Sequence, residues 1–451
     1  MVRAGCRIRW AVQFVVAVLT AVIVVMGAQT FPASATILTT PRTASGDGMH
    51  LLAAQTALIM NGTFEPVITP DWISEVMSEL LTPTLGEGYV GAPMATPAEF
   101  WPATGLFSMS FNKSIKTGYE LLDAQVHRGI EEAPLTPPAV FGHSQSAIIA
   151  SVEKQMLAVE YADQSEVPSV SFVMIGNPYR PNGGFLARLP TVARVLTPWT
   201  RTTSSPTDTV FATHDIARQY DMWADFPTYP LNLLATVNAL FGLMNHSYLP
   251  NSVSPLLGNL ISTVSLDPAS PNYNPATVVQ KYGDTTHYLI PSEHLPLLYP
   301  LRWIGLGPLT DIIEPTLKVL VELGYDRTAP YGQVVRAGLF PPIDPGKLAD
   351  DLAGAFAEGG AALRDLFTPP AAELIAGAVA FSATARGPRP SLTRRGAGIA
   401  KPVRSVVGAA AEAPAAQLPA ESRPQPKIAL RSERSGPRHS ASKIATVRVL
   451  R

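Results

Sequence analysis

The chain has 451 residues, 46% hydrophobic and only 15% charged, enough for two or three average domains or one large α/β domain with appendages. A charged fraction well below the usual value of roughly 25% excludes a wholly disordered or nucleic-acid-coating protein. The formal net charge of −1 conceals an uneven division: Arg386 to Arg451 carries 14 Lys/Arg and 3 Asp/Glu, a net +11, which leaves −12 on the first 385 residues. The 43 prolines, spread through body and tail, exclude long coiled coils. The single cysteine, Cys6, excludes an intrachain disulfide, a Cys-based zinc site and a thiol nucleophile later in the chain.

In chain order, Arg3, Arg7 and Arg9 precede an apolar run from about Trp10 to Gly27, and the small triplet Ala33-Ser34-Ala35 follows. This is the layout of a signal peptide over residues 1–35, or of an N-terminal membrane anchor if it is not cleaved. Either outcome places the body outside the cytoplasm. From about Leu51 to Phe367, short β-like runs alternate with helical stretches, the pattern of a mostly parallel sheet flanked by helices in an α/β domain spanning residues 36–385. The clearest predicted strands are Ala54 to Met60, Ala139 to Phe141, Ser171 to Ile175, Thr209 to Ala212 and Thr286 to Ile290. Leu249 to Thr277, rich in Asn, Ser and Pro, reads as a lid-like insertion. Residues 386–451, made largely of Ala, Pro, Arg and Ser, cannot bury enough apolar surface to fold and read as a basic disordered tail.

The segment Ala139-Val140-Phe141-Gly142-His143-Ser144-Gln145-Ser146-Ala147 places a serine in a sharp strand-to-helix turn with small residues two before and two after it. That is a nucleophile elbow of G-x-S-x-S form, with serine where a second glycine is usual. A serine needs a histidine base, itself oriented by a carboxylate, and on this architecture the chain order is serine, acid, histidine. His246, His287, His294 and His439 follow in the chain. His294, in a loop after the run Thr286 to Ile290, is the favoured base; His246, with no strand before it, is the alternative. For the acid, Asp221 comes first and Asp225 is the alternative, with a second possible role as a helix cap or loop holder. The oxyanion donors are the N–H of Gln145 and one from the turn Asn61-Gly62-Thr63, either Gly62 or Thr63.

Asn182-Gly183-Gly184, flanked by Arg180 and Arg188, reads as a solvated loop rather than an anion site. The sequence lacks G-x-x-x-x-G-K-[ST], H-E-x-x-H and an EF-hand loop, so it gives no ground for a nucleotide, a metal or any other cofactor.

Five stretches resemble those of the PE-PPE domain serine hydrolases of mycobacterial-type cell envelopes, relatives of the cutinases. They are Ala57 to Thr63, Phe141 to Ala147, Gly176-Asn177-Pro178-Tyr179-Arg180-Pro181-Asn182-Gly183-Gly184, Tyr220 to Pro227, and Glu293 to Leu298. The resemblance implies an α/β-hydrolase fold, a Ser-Asp-His triad and action on acyl esters, with Ser144 as nucleophile, Asp221 or Asp225 as acid and His294 as base. Asn61, His143 and Asn177 depart from the family's usual glycine, tyrosine and aspartate. An export segment stands where a PE or PPE helical domain is usual, as in stand-alone, membrane-associated members, some of which transfer acyl groups between trehalose glycolipids. The expectation is an exported serine esterase or lipase of the cell envelope. Its alternatives are an acyltransferase on trehalose-type glycolipids and a catalytically silent lipid-binding protein. The expected partners are an acyl ester or glycolipid and a membrane or envelope surface, not nucleic acid; oligomeric state is left open.

Overall fold

The computed structural model describes residues 55–249 and 263–367. The segments read as export signal, as the core of the lid-like insertion and as basic tail, His439 included, lie outside the described residues. Seven strands form one sheet: β1 (Gln55–Ile59), β2 (Tyr89–Pro93), β3 (Ala139–His143), β4 (Ser171–Ile175), β5 (Thr213–Arg218), β6 (Val278–Tyr282) and β7 (Thr285–Ile290). Their order is β2-β1-β3-β4-β5-β7-β6. Every pairing is parallel except β6 with β7, which form an antiparallel hairpin at one edge. The main helices are α1 (Pro70–Val76), α2 (Phe111–Glu132), α3 (Gln145–Glu160), α4 (Leu233–Phe241), α5 (Gly307–Glu322) and α6 (Pro345–Phe367).

Side chains alternate across a strand, so a sheet buried on both faces needs apolar residues at every position. The runs Ala57 to Ile59, Ala139 to Phe141 and Phe172 to Ile175 meet that demand. Leu58, Val140, Phe172 and Met174 point to one face, where Ile115, Leu122 and Val126 of α2 and Ala147, Ile148 and Val152 of α3 cover them. Ala57, Ile59, Ala139, Phe141, Val173 and Ile175 point to the other, against Trp72 and Val76 of α1 and Leu80 and Leu81 beyond it. The result is the expected α/β-hydrolase architecture, a mostly parallel sheet between helical layers.

Three local expectations change. Thr209 to Ala212 is not a strand: the Asp284 carboxylate accepts from the Thr209 N–H at 2.7 Å and from its hydroxyl, and strand pairing starts only at Thr213. Asp284 is itself fixed by the buried Lys154 ammonium at 2.7 Å. The two edge strands, β2 and β6, were not among the predicted runs; β2 contains Gly91 and Pro93, and β6 alternates little and is mostly exposed. The Gly183-Gly184 turn is not solvated, since Arg180 and Arg188 are both buried. Arg180 Nη1 donates to Asp215 Oδ1 at 2.6 Å and to the Asp215 carbonyl at 2.8 Å, and Arg188 donates to Asn182 and to the Val335 carbonyl. These arginines tie loops to the sheet.

Of the lid-like stretch, residues 264–277 run as turns along the body, with Val264 and Leu266 donating backbone N–H groups to the carbonyls of Tyr248 and Glu79. Among the described residues no helix is long and apolar enough to cross a membrane.

Candidate active site

Ser144 sits between β3 and α3 with φ 56° and ψ −113°, a conformation that costs a non-glycine residue energy and is typical of a serine lifted off a strand end. The flanking small residues have physical reasons. A Cβ on Gly142 would lie 2.6 Å from the Ser146 carbonyl oxygen, so strand and helix can meet only over glycine. Ser146, the departure from the usual glycine, is fully buried and braces the turn: its hydroxyl accepts from the His143 N–H at 2.8 Å and donates to the His143 carbonyl at 3.0 Å. The Ser144 N–H donates to the Ile175 carbonyl at the end of β4, 3.1 Å away.

Asp221 follows the end of β5 and is wholly buried. Its carboxylate receives His246 Nδ1 at 2.9 and 3.0 Å, the Tyr248 hydroxyl at 2.6 Å and the Trp223 N–H at 2.8 Å. Burial pushes the carboxyl pKa up, but the His246 charge and the three donors outweigh it and hold the group below the ordinary aspartate value. The histidine that the structure brings to Asp221 is therefore His246, not His294. It lies on a short turn, Met244–His246, after α4. That turn is tied to the end of β5: Asn245 Nδ2 donates to the Gln219 carbonyl at 2.9 Å, and the Arg218 N–H donates to the Tyr248 hydroxyl oxygen at 2.9 Å.

Nδ1 is taken by Asp221, and the other ring nitrogen, Nε2, is buried and has no hydrogen-bond partner among the described residues. The ring stacks on His143, the residue before Ser144, at a centroid distance of 5.0 Å and 30°. Its Cε1 would lie 2.6 Å from a Cβ on Gly176, the residue after the carbonyl that holds the Ser144 backbone. The elbow, the imidazole and the carboxylate thus share the C-terminal ends of β3, β4 and β5, where open α/β sheets bind their ligands.

His294 is held elsewhere. Its Nδ1 lies 3.0 Å from Glu314 on α5, and Glu314 also accepts from the Leu295 N–H at 2.5 Å and from Arg302 at 2.7 Å. His294 lines a cleft of about 1140 Å³ together with residues of α5 and α6; none of Ser144, Asp221 and His246 lines it. Asp225 has the loop-holding role: it pairs with Arg327 at 2.7 and 3.0 Å and accepts from the Tyr220 N–H at 2.8 Å. Asn232, not Asp225, caps α4.

Of the residues expected to donate to an oxyanion, Gly62 has its N–H engaged by the Asn61 side chain at 2.9 Å. Thr63 and Gln145 are brought together, because Gln145 Nε2 donates to Thr63 Oγ1 at 3.1 Å and to the Glu99 carbonyl at 2.9 Å while Ser114 Oγ donates to Gln145 Oε1 at 2.8 Å. Among the described residues, neither backbone N–H of this pair is committed to another group. Tyr248 and its bond to Asp221 were missed at the level of sequence, where only its place two residues after His246 marked it.

Residues 88–326 match the PE-PPE domain family. A protein of Mycobacterium tuberculosis named "Esterase PE16" is 39% identical over 293 residues, which is 64% of this chain and 52% of that protein. Another from the same organism, "Diacyltrehalose acyltransferase Chp2", is 26% identical over 289 residues, 60% of this chain and 76% of its own. The chain spans about half the length of the first of these. A solved cutinase-like protein from Cryptococcus sp. is similar at 20% identity with a TM-score of 0.27, over 39% of this chain and 81% of that one.

Proposed function

We propose that this chain, which belongs to the PE-PPE domain family, is a serine-dependent acyl-ester hydrolase of the cell envelope whose triad is Ser144, His246 and Asp221. The observation that carries the reading is the buried Asp221–His246 pair, packed on the elbow with Nε2 unpartnered. The esterase name of a 39%-identical relative supports the reaction class.

In this mechanism Ser144 Oγ attacks the acyl carbonyl carbon as its proton passes to His246 Nε2. Asp221 keeps Nδ1 protonated and stabilises the imidazolium. The N–H groups of Gln145 and Thr63 donate to the oxyanion. Collapse of the tetrahedral intermediate expels the alcohol, which takes the proton from Nε2 and leaves an acyl-serine ester. Water, deprotonated by His246, then releases the acid; a sugar hydroxyl in its place gives transfer. The acyltransferase name of Chp2 supports testing that second acceptor. Export through residues 1–35 and association with a lipid surface belong to the same proposal.

The test is hydrolysis of p-nitrophenyl esters of graded chain length, with a trehalose ester and a free sugar acceptor in parallel. Ser144→Ala and His246→Ala are expected to lower kcat by about 10⁴-fold or more, and His294→Ala by less than about tenfold. A folded protein inert on every ester would support the silent lipid-binding alternative. Loss in His294→Ala with activity retained in His246→Ala would refute the triad proposed.

A further inference from the structure

Helices α2 and α3 lie side by side in parallel, joined at their starts by Ser114 and Gln145 and near their ends by His127 and Glu160. Between these joints Asp123 and His127, one turn apart on α2, face Glu153 of α3. One ligand atom from each of the three lies within 4.8 Å of the others. Glu153 has no exposed surface, and neither of its carboxyl oxygens has a hydrogen-bond partner among the described residues. An unpartnered buried carboxyl is costly, and structures normally satisfy such a group.

The imidazole is arranged as a ligand. His127 Nε2 lies 3.0 and 3.2 Å from the two Glu160 carboxylate oxygens, while Nδ1 lies 2.8 Å from the Asp123 carbonyl and 3.6 Å from its carboxylate. Glu160 holds Nε2, and Nδ1, which lies toward the Asp123 carboxylate and now donates to the Asp123 carbonyl, is the nitrogen that a bound ion would take, giving the carboxylate–histidine–metal relay seen around bound ions. Mixed imidazole and carboxylate donors suit zinc and its transition-metal neighbours; calcium and magnesium prefer oxygen alone. A second cluster, His294, Asp311 and Glu314, has similar spacing, but Arg302 already bonds both of its carboxylates.

We propose that Asp123, His127 and Glu153 bind one zinc-type divalent cation, with Glu160 orienting the imidazole. The ion ties α2 to α3, the helix that begins immediately after Ser144, and its role is to hold that pair rather than to touch substrate.

The experiment is calorimetric titration of zinc chloride into the full chain after dialysis against chelator, with calcium and magnesium chloride as comparisons and thermal unfolding as a second readout. One zinc per chain is expected. At a free concentration about a hundredfold above Kd, Tm should rise by about 3–5 °C. Glu160→Gln should weaken zinc binding by about 10–100-fold, and Glu153→Gln and His127→Gln should weaken it by at least as much. Glu153→Gln replaces the orphan carboxyl with a neutral side chain of the same shape, so it keeps the fold if His127→Gln does not. Zinc affinity and Tm response equal in wild type and Glu153→Gln would overturn the proposal, as would calcium binding more tightly than zinc.

Discussion

Replacing Gly176 by alanine tests the placement of His246 with a single methyl group. The new Cβ would stand 2.6 Å from His246 Cε1, 2.9 Å from Nδ1 and 3.1 Å from Tyr248 Cε2. Ordinary carbon contacts begin near 3.4 Å, so the imidazole must retreat by about 0.8 Å. A misplacement of about 1 Å costs roughly 100-fold in a positioned reaction, and kcat for ester hydrolysis should fall by about that factor with KM little changed. Gly176 also has φ +58°, so alanine adds about 1–2 kcal/mol of left-handed strain. Gly305 separates the two effects: it has φ 85° and ψ 10° with nothing within 4 Å of a Cβ. Gly305→Ala should show similar strain in urea unfolding and keep wild-type kcat. If folded Gly176→Ala retains kcat within about threefold of wild type, His246 is not the base, and the reasoning from its packing fails.

Glu153 makes stability depend on pH in the chelated protein. Its carboxyl, raised to about 8 chiefly by burial, holds a proton in the folded state that the unfolded chain releases above about 4.5. The unfolded state then binds fewer protons, so stability falls as pH rises from 4.5 to 8. Glu153→Gln should therefore gain about 3 kcal/mol relative to wild type at pH 7 and close to nothing at pH 4.5, as measured by urea unfolding with chelator present; an equal difference at both pH values would contradict this. His287 and His214 act in the opposite sense, since burial lowers them to about 2 and about 4. There the unfolded chain binds more protons below 6.5, and stability is lost as pH falls. Between pH 6.5 and 5 each should cost about 2 kcal/mol. Neither ring nitrogen of His287 has a hydrogen-bond partner among the described residues, so His287→Phe should remove its share of that loss without the penalty of a broken hydrogen bond, and unchanged acid sensitivity would count against the assignment.

The sequence by itself determined what depends on near neighbours. A G-x-S-x-S turn between a β-like run and a helical run specifies an elbow, because crowding of Gly142 against Ser146 and the strained φ of Ser144 are set within five residues. The alternation of β-like and helical runs likewise specified a parallel sheet with two covered faces, since Ala57 to Ile59, Ala139 to Phe141 and Phe172 to Ile175 are continuous apolar runs. Asp221, first after the fifth strand, was also within reach of that order. The edge strands were not legible, because β2 and β6 bury little and so carry no apolar pattern.

Only the tertiary structure decided which histidine meets Asp221. His246 is 25 residues away and His294 is 73, and nothing in their immediate sequence records that the first is anchored to the end of β5 by Asn245 and Tyr248 while the second is held by Glu314 on α5. The approach of Asp123 and His127 to Glu153 is the same kind of fact. It arises from two helices lying side by side, and hydrogen bonding and burial across such an interface act through space, leaving no period or spacing along the chain to be read.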